Sequence, residues 1–187
     1  MRHTDIEGCF NQRFLLTQNT RMVGGASEPL YVPGSEKKEA LLYYRDDHSA
    51  SALHEAAHWC IAGQRRRGLV DFGYRYQPPP RSGEAQQAFF DLEVRAQSLE
   101  YLFAQAAAVD FYPSADNLEA DLQPFETQLE SVIPIMRAWV DSSPDPRARQ
   151  LIDALRLTRE CLDTVTRPKP SPKTGFGEIR KDAFGSR

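Results

Sequence analysis

The stretch that decides the fold runs from Ser49 to Gln64 and reads SASALHEAAHWCIAGQ. Its alanine, leucine and isoleucine residues favour a helix, and no proline interrupts them. Residues 54–58 within it read His-Glu-Ala-Ala-His, which matches the pattern H-E-x-x-H. Residues four positions apart lie on one face of a helix, so His54 and His58 point the same way. We expect the rest of the chain to be organised around this helix.

Two histidines at this spacing predict a metal site. Both imidazoles can bind one divalent ion, each at a distance of about 2.0–2.1 Å. Glu55 lies beside them, where it can hold or deprotonate a metal-bound water molecule. The alternative is a helix with two partly buried histidines that pack against Trp59. The metal site is preferred because the chain has only four histidines and two of them fall in this motif.

Length and composition indicate one soluble globular domain. The chain has 187 residues, of which 41% are hydrophobic and 26% charged. Its 23 basic and 26 acidic side chains give a net charge of −3, which implies no general affinity for nucleic acid. No apolar run approaches the roughly 20 residues that span a bilayer, and the first residues lack the apolar core of a signal peptide. Three widely spaced cysteines suggest free thiols, and together these features predict a cytoplasmic protein without a membrane partner.

The hydrophobic pattern predicts an α+β fold, a mainly helical single domain with a small antiparallel sheet beside the helical metal site. Helices are predicted at residues 4–18, 49–64, 84–110, 121–140 and 146–164, and strands at 28–32, 40–45 and 69–77. Gly24 and Gly25 are expected to break the chain. Residues 1–167 are predicted to form this domain.

Residues 168–187 are predicted to be a flexible tail. They contain five lysines and arginines, several prolines and few large apolar residues. Deleting them is therefore expected to leave the thermal midpoint of unfolding nearly unchanged. A loss of several degrees would mean that Phe176 or Phe184 docks into the core.

A third metal ligand is expected on the next helix, because catalytic metal sites usually have three protein ligands and an open position. The other two histidines are poor candidates, since His3 lies at the terminus and His48 just before the motif. Carboxylates on a packed neighbouring helix are more natural partners. The helix at 84–110 offers Glu84, Asp91, Glu93 and Glu100, and periodicity alone does not choose among them.

Two histidines and one carboxylate fit two kinds of chemistry. With zinc they form a hydrolase site in which Glu55 activates the water that attacks a carbonyl group. With ferrous iron they form a facial triad that leaves positions for dioxygen. A third, non-enzymatic interpretation is a helical interaction protein whose histidines are structural.

Residues 50–76, which read ASALHEAAHWCIAGQRRRGLVDFGYRY, resemble the bacterial elongation factor P hydroxylase family more closely than any protease. Residues 91–103 (DLEVRAQSLEYLF) and 116–121 (DNLEAD) resemble the same family, in the same order along the chain. The linked pieces HWCIAG, LVDFGY, EVxxQ and DNLE are far more specific than H-E-x-x-H alone.

The resemblance implies an enzyme that hydroxylates the modified, β-lysylated lysine of translation elongation factor P. This is the final step of a modification that helps ribosomes through proline-rich stretches, and the family is a non-haem metalloenzyme. Carried over to this sequence, the resemblance implies His54, His58 and Glu93 as the metal ligands. Asp91 or Glu100 is the alternative to Glu93. Glu55 is implied as the catalytic acid or base. The implied cofactor is a divalent ion, Fe(II) or alternatively zinc, and the implied partner is elongation factor P. The alternative function is a zinc-dependent peptidase or amide hydrolase.

Three arginines that follow the motif, Arg65 to Arg67, have two interpretations. They can interact with the negative end of the helix dipole, or they can dock an acidic protein partner. Elongation factor P would be such a partner.

Overall fold

Five α-helices and a three-stranded sheet make up the part of the chain that the computed structural model describes, residues 1–74, 80–81, 83–117 and 120–166. In chain order the elements are α1 (His3–Gln18), β1 (Thr20–Ala26), β2 (Leu30–Val32), β3 (Ala40–Arg45), α2 (Ser49–Ile61), α3 (Gly83–Ala107), α4 (Gln123–Ser142) and α5 (Arg147–Thr166). The predicted class, a mainly helical α+β single domain, is confirmed. The predicted tail, 168–187, lies outside the described residues.

The sheet is mixed, and the prediction of purely antiparallel pairing is corrected for one pair of strands. Its strand order is β1-β3-β2. β2 runs antiparallel to β3, and Leu30 is opposite Tyr43. β1 runs parallel to β3, and Thr20 is opposite Ala40. The parallel pair arises because β2 reverses the chain direction, so β3 returns to the direction of β1 and lies between the two.

The break predicted at Gly24 and Gly25 is wrong, since β1 continues through both glycines. A Cβ atom at Gly24 would collide with the hydroxyl group of Tyr44, so glycine allows this close approach. The register with β3 shifts between Val23 and Ala26, and Gly25 has a φ of +79° within that irregular stretch. The glycines therefore accommodate a bulge and a packed tyrosine instead of ending the strand.

The strand predicted at 69–77 is also wrong where the structure describes it; residues 75–77 lie outside the described part. Residues Val70–Gly73 form a short 3-10 turn in which Asp71 and Phe72 have φ values of 48° and 56°. Tyr31 fixes this left-handed turn: its backbone N–H donates to Asp71 Oδ1 at 2.9 Å, and its ring stacks on Phe72 at 4.3 Å. Positive φ at two non-glycine residues costs about 1–3 kcal/mol each, so the surrounding contacts must hold the turn in place.

Helix α2 lies at the centre of the domain. It packs against α1, α3, α5 and β3. Trp59 is fully buried, and its ring lies 5.0 Å from that of Phe10 and 4.8 Å from that of Phe14, both on α1. The small residues Ala52, Ala56 and Ala57 are fully buried as well. Alanines at these positions allow the neighbouring elements to approach α2 closely. None of the described helices is long and apolar enough to cross a membrane.

The last carbonyl groups of α2 are bound by Arg147, from the start of α5. This side chain is 2% exposed and donates to the carbonyl oxygens of Trp59 at 2.6 Å, Cys60 at 3.3 Å and Ala62 at 2.8 Å. Its guanidinium group lies 4.4 Å from the centre of the Trp59 ring and pairs with Asp145 at 2.8 Å. Arg147 therefore satisfies the orphan carbonyls at the negative end of the helix dipole.

Replacing Arg147 with alanine is expected to destabilise the protein by about 3 kcal/mol, because buried carbonyl groups lose their donors and a cavity opens beside Trp59. Denaturant unfolding measures the loss. Arg149→Ala is the matched control, since Arg149 forms an exposed pair with Asp141 at 2.8 Å and should change stability by less than about 0.5 kcal/mol. Equal effects of the two substitutions would contradict the capping role of Arg147.

Candidate metal centre

Helices α2 and α3 bring three metal-ligating side chains to one point. His54 and His58 extend from α2, and Glu93 extends from α3; one ligating atom from each lies within 4.8 Å of the others. The two Nε2 atoms are 3.1 Å apart. Glu93 Oε2 lies 3.4 Å from His54 Nε2, and Glu93 Oε1 lies 3.3 Å from His58 Nε2. His58 and Glu93 are buried, and His54 is half-buried.

This donor set fits a metal ion. Ligand atoms that are each about 2.0–2.2 Å from one ion lie about 2.8–3.6 Å from one another at octahedral or tetrahedral angles. The Nε2 atoms of His54 and His58 are 3.1 Å apart, and each has a different Glu93 oxygen in that range, Oε2 at 3.4 Å from His54 and Oε1 at 3.3 Å from His58. Two imidazole nitrogens that face each other beside a carboxylate also offer lone pairs that one cation can accept together. A metal ion is therefore the cofactor that suits this cluster.

Only two of the four carboxylates predicted as candidates on this helix contact the histidines among the described residues. Glu93 and Glu100 are seven positions apart, or about two turns, so they share the buried face of α3 that packs on α2. Glu100 Oε2 lies 2.8 Å from His54 Nδ1. Asp91 is exposed and accepts a hydrogen bond from Gln87, and Glu84 is exposed in the first turn.

The two other histidines lie away from the cluster. His3 Nδ1 is 3.0 Å from the hydroxyl group of Tyr44, and the same atom is 3.6 Å from Asp47. His48 is exposed and occupies the N-cap position of α2. Both placements agree with the expectation that neither is a ligand.

Glu55 lines the same cleft as the cluster. Burial raises the pKa of its carboxyl group, and the negative charges of Glu93 and Asp71 raise it further, whereas His54 and His58 oppose the shift. A carboxyl group with a raised pKa beside a metal site can carry a proton closer to neutral pH than an exposed glutamate can. This shift is compatible with the predicted role of Glu55 as a general acid or base, which stays a prediction.

The cleft has a volume of about 510 Å³ and two kinds of wall. Its aromatic lining residues are Phe72, Tyr74, Phe89 and Tyr112, and its acidic lining residues are Glu28, Glu55, Asp71, Glu93, Glu100 and Asp116. Arg45 is the one lysine or arginine among the described lining residues. Such a cleft favours a ligand with an apolar stem and positive charge.

One wall of the cleft is held by polar side chains to which the sequence analysis assigned no role. The amide of Gln97 makes two hydrogen bonds to the backbone of Ser114, at 2.8 and 3.0 Å. Arg81, 7% exposed, donates to the carbonyl oxygen of Ala115 at 3.0 Å, and Asn117 donates to that of Arg81 at 2.7 Å. Asn117 therefore helps to fix this wall of the cleft. The sequence signal for a role of Gln97 at this site was its position between Glu93 and Glu100 on the same helix.

The arginines after α2 contact the turn and the core. Arg66 donates to the carbonyl oxygen of Phe72 at 3.4 Å and lies over the ring of Tyr74 at 4.5 Å. Arg67 donates to Gln18 at 3.2 Å. Arg147 donates to the last carbonyl groups of α2, and both interpretations of the three arginines, dipole interaction and partner docking, stay predictions.

Metal binding is expected to strengthen as the pH rises. Burial opposes a charged imidazolium on His54, but the carboxylates of Glu100, Glu93 and Glu55 outweigh it and raise the pKa of His54 to about 10 from an ordinary value of 6.5. In the metal-free protein this proton contributes stability that is complete below about pH 6.5 and is lost as the pH rises through about 10. A metal ion must displace the proton, so the apparent affinity should rise by up to about tenfold per pH unit in this window.

Titration calorimetry with Zn(II) at two pH values measures this effect. Comparing the heat of binding in buffers of different ionisation enthalpy counts the protons that are released. We expect protons to be released on metal binding, and the affinity to be higher at the higher pH. An affinity that is independent of pH, without proton release, would contradict the expectation.

The structure is therefore that of a helical protein suited to hold a metal ion. Two histidines from α2 and a glutamate from α3 line an acidic cleft together. The sequence profile of the elongation factor P hydroxylase (EpmC) family matches residues 9–163, which include the whole cluster. The elongation factor P lysine hydroxylase of Haemophilus influenzae is 41% identical over 155 residues, which cover 81% of this chain and 85% of the relative. The chain belongs to the elongation factor P hydroxylase family. It is an enzyme of the hydroxylase type, and the peptidase alternative is not favoured.

Proposed function

We propose that this protein hydroxylates the modified lysine of elongation factor P, with a metal ion held by His54, His58 and Glu93. The observation that carries the proposal is the convergence of two imidazoles and one carboxylate within 4.8 Å, in a chain of this family. The relative that is 41% identical is named an elongation factor P lysine hydroxylase. In this proposal residues 1–167 form the catalytic domain, 168–187 are a tail, and the enzyme meets its protein substrate in the cytoplasm.

Fe(II) is the metal that best suits this reaction, with zinc as the alternative. Two histidines and one carboxylate form the ligand set typical of non-haem ferrous enzymes, which leaves other coordination positions open. Bound Fe(II) would supply the redox chemistry that activation of dioxygen requires, and zinc has none.

The side chains around the metal ligands have separate tasks. Glu55 holds or moves a proton at its carboxyl group, which lines the same cleft as the metal ligands. Glu100 accepts a hydrogen bond from the outer nitrogen of His54 at 2.8 Å. Buried aromatic side chains such as Phe72 and Phe89 keep water away from the reacting atoms.

The cleft lining matches the chemistry of the substrate side chain. A β-lysyl unit joined through its carboxyl group keeps both of its amino groups, so the modified lysine carries two ammonium groups on aliphatic stems. Aromatic walls can pack against the stems, and the carboxylates of Asp71 and Asp116 can attract the ammonium groups. Unmodified lysine has one ammonium group and a shorter reach, and would use fewer of these contacts.

Mass spectrometry of elongation factor P from cells that lack this protein tests the proposal. We expect the modified lysine to lose the mass of one oxygen atom and to keep the β-lysyl unit. The wild-type chain should restore the lost mass, and a variant without His58 should not. An unchanged mass in the deletion strain would contradict the proposed reaction. Metal analysis of the purified protein distinguishes iron from zinc.

A further inference from the structure

Glu100 contacts the proposed metal centre from behind one of its histidines. Its Oε2 atom lies 2.8 Å from His54 Nδ1, and the residue is 7% exposed. The opposite nitrogen of the same ring, Nε2, lies 3.1 Å from His58 Nε2 and 3.4 Å from Glu93 Oε2. The imidazole of His54 thus lies between Glu100 on one side and the other two donor groups on the other side.

We propose that Glu100 is a positioning residue for metal binding, which fixes the tautomer and the ring orientation of His54. The inference rests on the proposed metal centre. A carboxylate only accepts hydrogen bonds, so the nitrogen that faces Glu100 must carry the proton. A neutral imidazole has one protonated and one unprotonated nitrogen, so Nε2 is left with its lone pair directed at His58 and Glu93.

His54 needs such a partner more than His58 does. The side chain of His54 is 27% exposed, whereas that of His58 is 7% exposed and is confined by packing. The ring of His54 meets that of His58 edge-on, at 4.7 Å between centres and an angle of 75°. Without the bond to Glu100 a half-exposed ring could turn about its side-chain bonds and could protonate either nitrogen. The charge of Glu100 also makes His54 a more basic ligand.

Direct metal ligation by Glu100 does not fit this geometry. Its closest approach is to Nδ1, on the side of the ring away from the point where the three donor atoms meet. Glu93 already occupies that point from the same face of α3, two turns earlier. Glu100 therefore acts through His54.

Competition between a chelator and the full-length protein for Co(II), at one pH, measures the contribution of Glu100. Glu100→Gln keeps the size and an acceptor oxygen but removes the charge, and we expect a loss of affinity of about tenfold; Glu100→Ala removes both, and we expect a loss of about a hundredfold. Asp91→Asn is the matched control, because it removes one charge from the same helix at an exposed position that does not contact His54. It should bind Co(II) within twofold of wild type.

A spectroscopic measurement separates positioning from a general structural role. In the Zn(II)-loaded protein labelled with 15N-histidine, we expect a proton on Nδ1 of His54 that exchanges slowly with water. In Glu100→Gln the signal of this proton should persist, with a chemical shift that indicates a weaker hydrogen bond. In Glu100→Ala the proton should exchange rapidly with water. If Glu100 were merely structural, its replacement would lower the thermal midpoint of the metal-free protein but would change neither the Co(II) affinity nor the exchange of the Nδ1 proton.

The possible failures are distinguishable. Co(II) affinities of both Glu100 variants within twofold of wild type would overturn the role of Glu100 and leave the metal centre intact. If wild type and Asp91→Asn themselves bound no Co(II), the proposed metal centre would fail and the inference with it. Should Glu100→Ala not fold, the nearly isosteric Glu100→Gln still decides, because unchanged affinity and an unchanged Nδ1 signal in that variant would contradict the proposal.

Discussion

Replacing His58 with alanine is expected to abolish metal binding and hydroxylation together. His58 is 6% exposed, and its Nε2 atom lies 3.1 Å from His54 Nε2 and 3.3 Å from Glu93 Oε1. Its removal would leave two protein ligands, one of them half-exposed. Groups that only support a ligand already contribute about ten- to a hundredfold to metal affinity, so loss of a ligand itself should cost more than about a hundredfold. Hydroxylation should fall to background with it.

Metal content of the purified variant and the mass of elongation factor P incubated with it measure both losses. His48→Ala is the matched control, because this histidine lies outside the cluster, is exposed and occupies the N-cap of the same helix. It should keep its metal and its activity. A His58→Ala protein that is folded by circular dichroism and carries a full equivalent of metal would exclude His58 as a ligand.

Helices with strong periodicity were predictable from the sequence. The predicted helices at 4–18 and 84–110 correspond to α1 and α3, and the predicted strand at 40–45 has the bounds of β3. In these segments the local pattern and the tertiary packing favour the same structure. The helix with the H-E-x-x-H motif was predictable for the same reason, and so was the shared direction of His54 and His58.

The elements that were wrong depend on partners far away in the sequence. The alternation at 69–77 is typical of a strand, but Asp71 and Phe72 turn because Tyr31, about 40 residues earlier, binds one and stacks on the other. Gly24 favours a break locally, yet it lies in a strand because Tyr44 requires a residue without a side chain there. Strand direction is likewise set by which strands pair, and local pattern does not contain that information.

The third metal ligand likewise could not be chosen from the local sequence pattern. The sequence predicted a carboxylate from the helix at 84–110 as the third ligand, but it left Glu84, Asp91, Glu93 and Glu100 open as partners of the histidines. Which of them faces α2 depends on the angle and register at which α3 packs, and only the family resemblance selected Glu93. Neither kind of reasoning indicated that Glu100 would contact the outer nitrogen of His54.

Glu55→Gln is expected to retain most of the metal while hydroxylation of elongation factor P falls steeply, by about 10²- to 10⁴-fold if the residue is the general acid or base. Glu55 follows His54 directly, so its side chain leaves the helix about 100° away from that of its neighbour. It still lines the cleft, and burial together with Glu93 and Asp71 raises its pKa. Glutamine keeps the size and hydrogen bonding of this side chain but can neither take up nor release a proton at that carboxyl group.

The two roles available to Glu55 give different results in the same pair of measurements, metal content and the mass of elongation factor P. Glu130→Gln, an exposed change on α4, is the control for loss of one carboxylate and should leave both unchanged. A Glu55→Gln protein as free of metal as His58→Ala would make Glu55 a ligand, and the proposed division between ligands and acid or base would be wrong. Full activity in Glu55→Gln would reduce Glu55 to a structural residue, because the proton would then have to move through another group. Activity lost with metal retained is the outcome that a proton-transferring carboxyl group beside three separate ligands requires.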